Sequence, residues 1–122
     1  MSSRPHFNPS LFLDFAEELL NDRKYDERSR IRTAIGRSYY ASFLMVKKKL
    51  EENGKSFLDV DRIHRDVIEE ATNWNSHIAN KLETLRTNRV SADYIMNEDI
   101  QMDIATKCNR ISRNILSSLP QT

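Results

Sequence analysis

No proline occurs between Leu11 and Leu119, and that absence limits the chain more than any other feature. The prolines are Pro5, Pro9 and Pro120, and the only glycines are Gly36 and Gly54. A fold of many short strands needs glycine and proline at its turns, so an all-β architecture is excluded. Long helices with short connections remain. The chain's 122 residues suit a single domain that buries roughly two-thirds of the unfolded chain's surface. There is no internal repeat, low-complexity segment or composition shift, so residues 1–122 read as one domain, with 1–8 expected as a flexible tail. Cys108 is the only cysteine, which excludes an internal disulfide and a cysteine-based zinc site. The longest apolar run, Tyr39 to Val46, is too short to cross a bilayer. The first ten residues lack the basic-then-apolar order of a signal peptide. The expectation is a soluble cytoplasmic helical protein with no membrane partner.

Hydrophobic spacing and cap residues predict five helices. Asn8 serves as the N-cap of the first and Pro9 occupies its first position, where a missing N–H costs nothing. Leu11, Phe12, Phe15, Leu19 and Leu20 then recur at helical spacing to about Asn21, and residues 21–25 read as a loop. Asp26 begins the longest helix, which closes near Asn53 with Gly54 as its left-handed residue. One stripe on it holds Ile31, Ile35, Tyr39, Val46 and Leu50, flanked by the small residues Ala34, Ser38 and Ser42. A second stripe holds Arg37, Tyr40, Ala41 and Leu44. A helix apolar on two sides is central in its bundle or shared with a second subunit. The third helix is expected from about Asp61 to Asn73, with Trp74 in the loop that follows, covering the end of the bundle. The fourth is expected from His77 to about Ala92 with Ser76 as its cap. Asn97 is expected to cap the fifth, with Glu98 and Asp99 in its first turn. Its stripe is Ile100, Ile104, Cys108, Ile111, Ile115 and Leu119. Short connections imply antiparallel neighbours in an all-α, up-and-down bundle of four or five helices.

Charge is unevenly placed although the formal net charge is only +1. From Arg23 to Lys49 there are nine Lys or Arg and two acids, whereas Glu51 to Glu70 holds three bases and seven acids. A phosphate-bearing partner on the basic side would fit, as would two solvated helix faces. The fourth helix carries the sharper anomaly. Ile78, Leu82, Leu85 and Ala92 define its inward stripe, and Arg89 falls inside that stripe with Arg86 and Asp93 beside it. A guanidinium aimed at an apolar core must find a carboxylate or line a cleft. Two readings follow: a buried Arg89–Asp93 pair, or a groove in which Arg86 and Arg89 hold phosphate.

The segment Ala34-Ile-Gly-Arg37-Ser-Tyr39-Tyr40-Ala41-Ser-Phe43 resembles the long helix of HEPN domains. The segment Leu85-Arg86-Thr-Asn-Arg89-Val-Ser-Ala92-Asp93-Tyr94 resembles the end of their fourth helix. With the five-helix layout, the resemblance covers roughly residues 10 to 118. It implies a small helical bundle that dimerises, often an RNA-cleaving toxin or defence nuclease paired with a nucleotidyltransferase antitoxin. It also implies that Arg89 and Tyr94 lie near a two-fold axis. The second stripe of the long helix points to a homodimer as well.

The ribonucleolytic HEPN pattern is an arginine, four to six residues, then a histidine. Here Arg89 is followed at that spacing by Tyr94, and no histidine occurs after His77. A phenol with pKa of about 10 is a poor base at pH 7, whereas an imidazole at about 6.5 is well suited. Arg89 and Tyr94 are therefore the candidate catalytic positions of a degenerate motif, and Arg37, Arg86 and Arg89 the candidate RNA-binding residues. His64 reads as a packed helix residue, His77 as a helix-start residue and His6 as part of the tail. Their spacing fits no metal site, and no glycine-rich loop exists to cradle a nucleotide, so neither metal nor cofactor is expected. Three functions follow: a non-cleaving HEPN-like protein that binds RNA, a nucleotidyltransferase or both; a metal-independent endoribonuclease; or a generic helical adaptor.

Overall fold

A computed structural model describes residues 7–120. The expected tail, including His6, therefore lies outside the described residues except for Phe7 and Asn8. The elements are α1 (Ser10–Asn21), α2 (Glu27–Glu52), a 3-10 turn (Val60–Arg62), α3 (Ile63–Trp74), α4 (Ser76–Tyr94) and α5 (Met102–Ser118). No strand occurs among the described residues, and the protein is an all-α bundle.

α2 is the central helix, in contact with all four others. Its predicted inward stripe, from Ile31 through Ile35, Tyr39 and Val46 to Leu50, is fully buried. So are Ala34, Ser38 and Ser42, whose small side chains let neighbours approach. The second stripe divides: Ala41 is buried, while Arg37, Tyr40 and Leu44 are half-buried at the rim of the core. The Ser42 and Ser112 hydroxyls hydrogen-bond across the α2–α5 contact. Asn109 of α5 donates through Nδ2 to the Leu13 carbonyl of α1 at 3.2 Å.

The caps follow local chemistry. Asn8 Oδ1 accepts the Ser10 amide at 3.1 Å, and Asp26 accepts the amides of Arg28 and Ser29. α2 closes as a Schellman turn: the Lys55 amide donates to Leu50 and the Gly54 amide to Glu51, with Gly54 at φ 91°. Several boundaries differ from expectation: α3 starts at Ile63, after the 3-10 turn, rather than at about Asp61. Asn75, not Ser76, caps α4, accepting the amides of His77 and Ile78, and the connection from α3 shrinks until Trp74 is itself the last residue of α3. α4 runs past Ala92 to Tyr94. α5 starts at Met102 rather than just after Asn97. The cause is Arg32, whose Nη2 donates to the carbonyls of Ile95 and Glu98 at 3.1 and 2.8 Å. Those carbonyls converge on one guanidinium, so the Glu98 carbonyl does not lie along a helix axis to accept from Met102.

Arg32 also donates from Nη1 to the carbonyls of Ala92 and Ser91, closing the C-terminus of α4. Arg30, one of the few buried charges, does the same for α1 through Leu19 and Leu20, and binds the Tyr25 carbonyl. A cation at a helix C-terminus satisfies orphan carbonyls and opposes the negative end of the helix dipole. Arg28 pairs with Asp26, Lys47 with Glu51 and Lys49 with Glu52. Of the nine basic residues from Arg23 to Lys49, Arg30 and Lys49 are buried, Arg32, Arg37 and Lys47 are half-buried, and Arg23, Lys24, Arg28 and Lys48 are exposed.

Candidate anion site at the junction of α2, α3 and α4

Helical spacing brings Arg86, Arg89 and Asp93 to one side of α4, above the exposed edge of α2. Arg89 Nε lies 2.8 Å from Asp93 Oδ2. The side chains are 16% and 37% exposed, so the pair stands at the rim of the core. The Nε–H makes no aligned hydrogen bond, and the contact is one of charge rather than a directed donor–acceptor bond. Gly36 lies beneath it, where a Cβ would stand 3.8 Å from Asp93 Oδ1.

Aromatic faces hold the arginines. The guanidinium carbon of Arg89 is 5.2 Å from the Tyr40 ring centre and 5.5 Å from that of Tyr94. Arg37 lies 5.1 Å from the same Tyr40 ring and 4.8 Å from Phe12. Tyr40 therefore gathers two guanidiniums from different helices around one ring, each within cation–π range. Tyr94, 67% exposed, extends this surface into solvent at the end of α4. The fold thus brings together Arg37, Arg89 and Tyr94 of the sequence-predicted set. Arg86, half-buried and without an ion pair among the described residues, joins them through its field at His64 and Tyr39.

His64 is the residue that sequence reasoning undervalued. It is half-buried on α3 with its ring centre 4.4 Å from that of Phe43 at a tilt of 31°, and Tyr40 stands edge-on at 5.8 Å. Its Nδ1 is 2.6 Å from the Tyr39 hydroxyl. Burial, then the positive charges of Arg89 and Arg86, hold the imidazole below its ordinary value. Burial drives the Tyr39 phenol well above its ordinary value, so it keeps its proton. With no other acceptor among the described residues, the Tyr39 O–H donates to His64 Nδ1. The neutral imidazole then carries its own proton on Nε2. No local motif announces this contact, because Tyr39 and His64 stand 25 positions apart on different helices.

The other candidates lie elsewhere. Trp74 is half-buried against the end of the core beside Leu50, the covering role expected of it. His77 is exposed. Among the described residues no group of His, Cys, Asp or Glu could hold a metal ion. Among the described residues no helix is long and apolar enough to cross a membrane.

No family model matches the chain, and no solved structure matches it. Among curated proteins it is similar to the uncharacterized protein MJ0628 of Methanocaldococcus jannaschii, at 30% identity over 105 residues. That alignment covers 72% of this chain and 63% of the relative, so the chain spans less than two-thirds of the relative's length.

Proposed function

We propose that the protein is a HEPN-like homodimeric interaction protein that grips the phosphodiester backbone of RNA without cutting it. One observation carries the reading: Tyr40 gathers Arg37 and Arg89 around a single ring, with the exposed Tyr94 beside them. Guanidinium forks suit phosphate oxygens, and an exposed tyrosine offers a stacking face to an unpaired base. The charge is focused in three arginines, so binding is weak and salt-sensitive. Tyr94 stands where the HEPN nuclease pattern has a histidine, and a phenol is a poor general base at neutral pH. The resemblance also makes a nucleotidyltransferase the natural protein partner, for which the exposed Phe7, Leu11 and Phe15 offer an apolar surface.

The test is fluorescence anisotropy with a labelled single-stranded RNA across a salt series, run beside incubation with total RNA and a metal chelator. Arg37→Gln and Arg89→Gln should each flatten the salt dependence by about one contact. No cleavage products should accumulate. The alternative of a metal-independent endoribonuclease, acting as a toxin or in defence, is favoured by the neutral His64 imidazole in the field of Arg86 and Arg89. Chelator-resistant cleavage by the wild type that is lost in His64→Gln would replace the binding reading with that one.

A further inference from the structure

We propose that binding of a phosphodiester at Arg86 and Arg89 draws a proton from solvent onto His64, so that the RNA backbone gains a cationic partner from α3. This rests on the RNA-binding reading above and adds a residue and a proton to it. The imidazole is fixed in place by the Tyr39 hydroxyl at 2.6 Å and by the Phe43 ring at 4.4 Å. Its Nε2 has no partner among the described residues and is not among the buried polar atoms left unsatisfied, so it is open to solvent. The Tyr39 hydroxyl serves either state of the ring: it donates to Nδ1 when the ring is neutral and accepts from Nδ1–H when it is charged.

The charged groups around His64 are unbalanced. From α4, Arg86 and Arg89 act on it, and Glu83 of the same helix reaches Tyr39. Asp93 is engaged with Arg89. From α2, the phenols of Tyr39 and Tyr40 and the Phe43 ring face it, and the Arg37 guanidinium stands 5.1 Å from the Tyr40 ring. Ahead of α3, Arg62 is paired with Asp66 rather than with the imidazole. Two arginines thus add to the burial that already disfavours a charged ring while the site is empty. An anion at these arginines offsets their share of that opposition, and the imidazole takes up a proton more readily. By linkage, RNA binds more tightly at pH values where His64 is charged, and affinity falls as pH rises through the value of the bound state.

The experiment follows the His64 ring resonances of the whole chain by NMR from pH 5 to 8, alone, with inorganic sulfate and with a short oligouridylate. Neither probe titrates in that range. Single-residue resolution separates His64 from His6 and His77. The expected result is a rise of about one unit in the His64 midpoint with either probe, which corresponds to about a tenfold fall in oligouridylate affinity from the acid to the alkaline limb. His64→Gln should remove that slope, and Tyr39→Phe, which takes away the acceptor of Nδ1–H, should reduce it. Oligouridylate binding that leaves the His64 midpoint unmoved overturns this inference and spares the RNA-binding reading. Absence of binding at every pH in low salt overturns that reading and this inference with it.

Discussion

Arg89 sits where two environments meet, its Nε–H turned off the axis to Asp93 and its flat face against two tyrosines. Because Asp93 is more than a third exposed, removing the cation leaves a carboxylate that water still reaches. Arg89→Ala should therefore cost about 1 kcal/mol in urea unfolding, not the 3 kcal/mol or more of a fully buried pair broken on one side. RNA affinity should fall in the same variant. A loss of stability with RNA binding intact would make Arg89 a structural residue only. His64 yields a prediction of opposite character. Its folded-state value lies below that of the unfolded chain, so the unfolded state binds the extra proton first. The stability it contributes is present above about pH 6.5, the ordinary value of the side chain, and is lost as pH falls below it. Thermal melts between pH 7.5 and 5 should decline less steeply for His64→Gln than for the wild type.

At the scale of elements, what matters is which amide each cap reaches. Asn75 accepts two amides of the first turn of α4, at 3.1 and 3.2 Å. Asn75→Ala should destabilise the protein by about 1 kcal/mol, while Ser76→Ala should change the denaturation midpoint hardly at all. The helices, their inward stripes and the caps at Asn8, Asp26 and Gly54 are legible in the sequence because their partners lie within four or five residues. The start of α5 is not, because Arg32 decides it from 63 and 66 positions away. The site divides the same way. Arg86, Arg89, Asp93 and Tyr94 can be read from spacing along one helix. His64 cannot, because a periodic pattern reports which face is buried and says nothing of a hydroxyl arriving from another helix.

For the whole molecule, the question is what lies against the apolar residues that the bundle leaves outside. Phe7, Leu11 and Phe15 at α1, and Val90, Tyr94, Ile95 and Met96 around the end of α4, are exposed. Tyr40 and Leu44 reach the surface between the same helices. The proposed homodimer predicts a light-scattering mass of twice 14.3 kDa at micromolar concentration. Met96→Glu, which sets a charge just beyond the end of α4, should shift that mass toward the monomer. A monomeric mass for the wild type across the micromolar range would count against the dimer.

The first turns of α2 hold two arginines in nearly adjacent positions that point to opposite ends of the fold's history. Arg30 reaches carbonyls 10 and 11 positions back, which a nascent chain supplies at once. Arg32 reaches carbonyls 59 to 66 positions ahead, which exist in place only after α3 and α4 have docked. The α1–α2 hairpin can therefore close early, at small loop entropy, while the α4–α5 turn waits for the rest of the bundle. Once both are seated, the start of α2 cannot fray without releasing the ends of two other helices. The molecule is bound at that point into one cooperative unit, and the segment from Ile95 to Gln101, though almost all exposed, shares its fate with the interior.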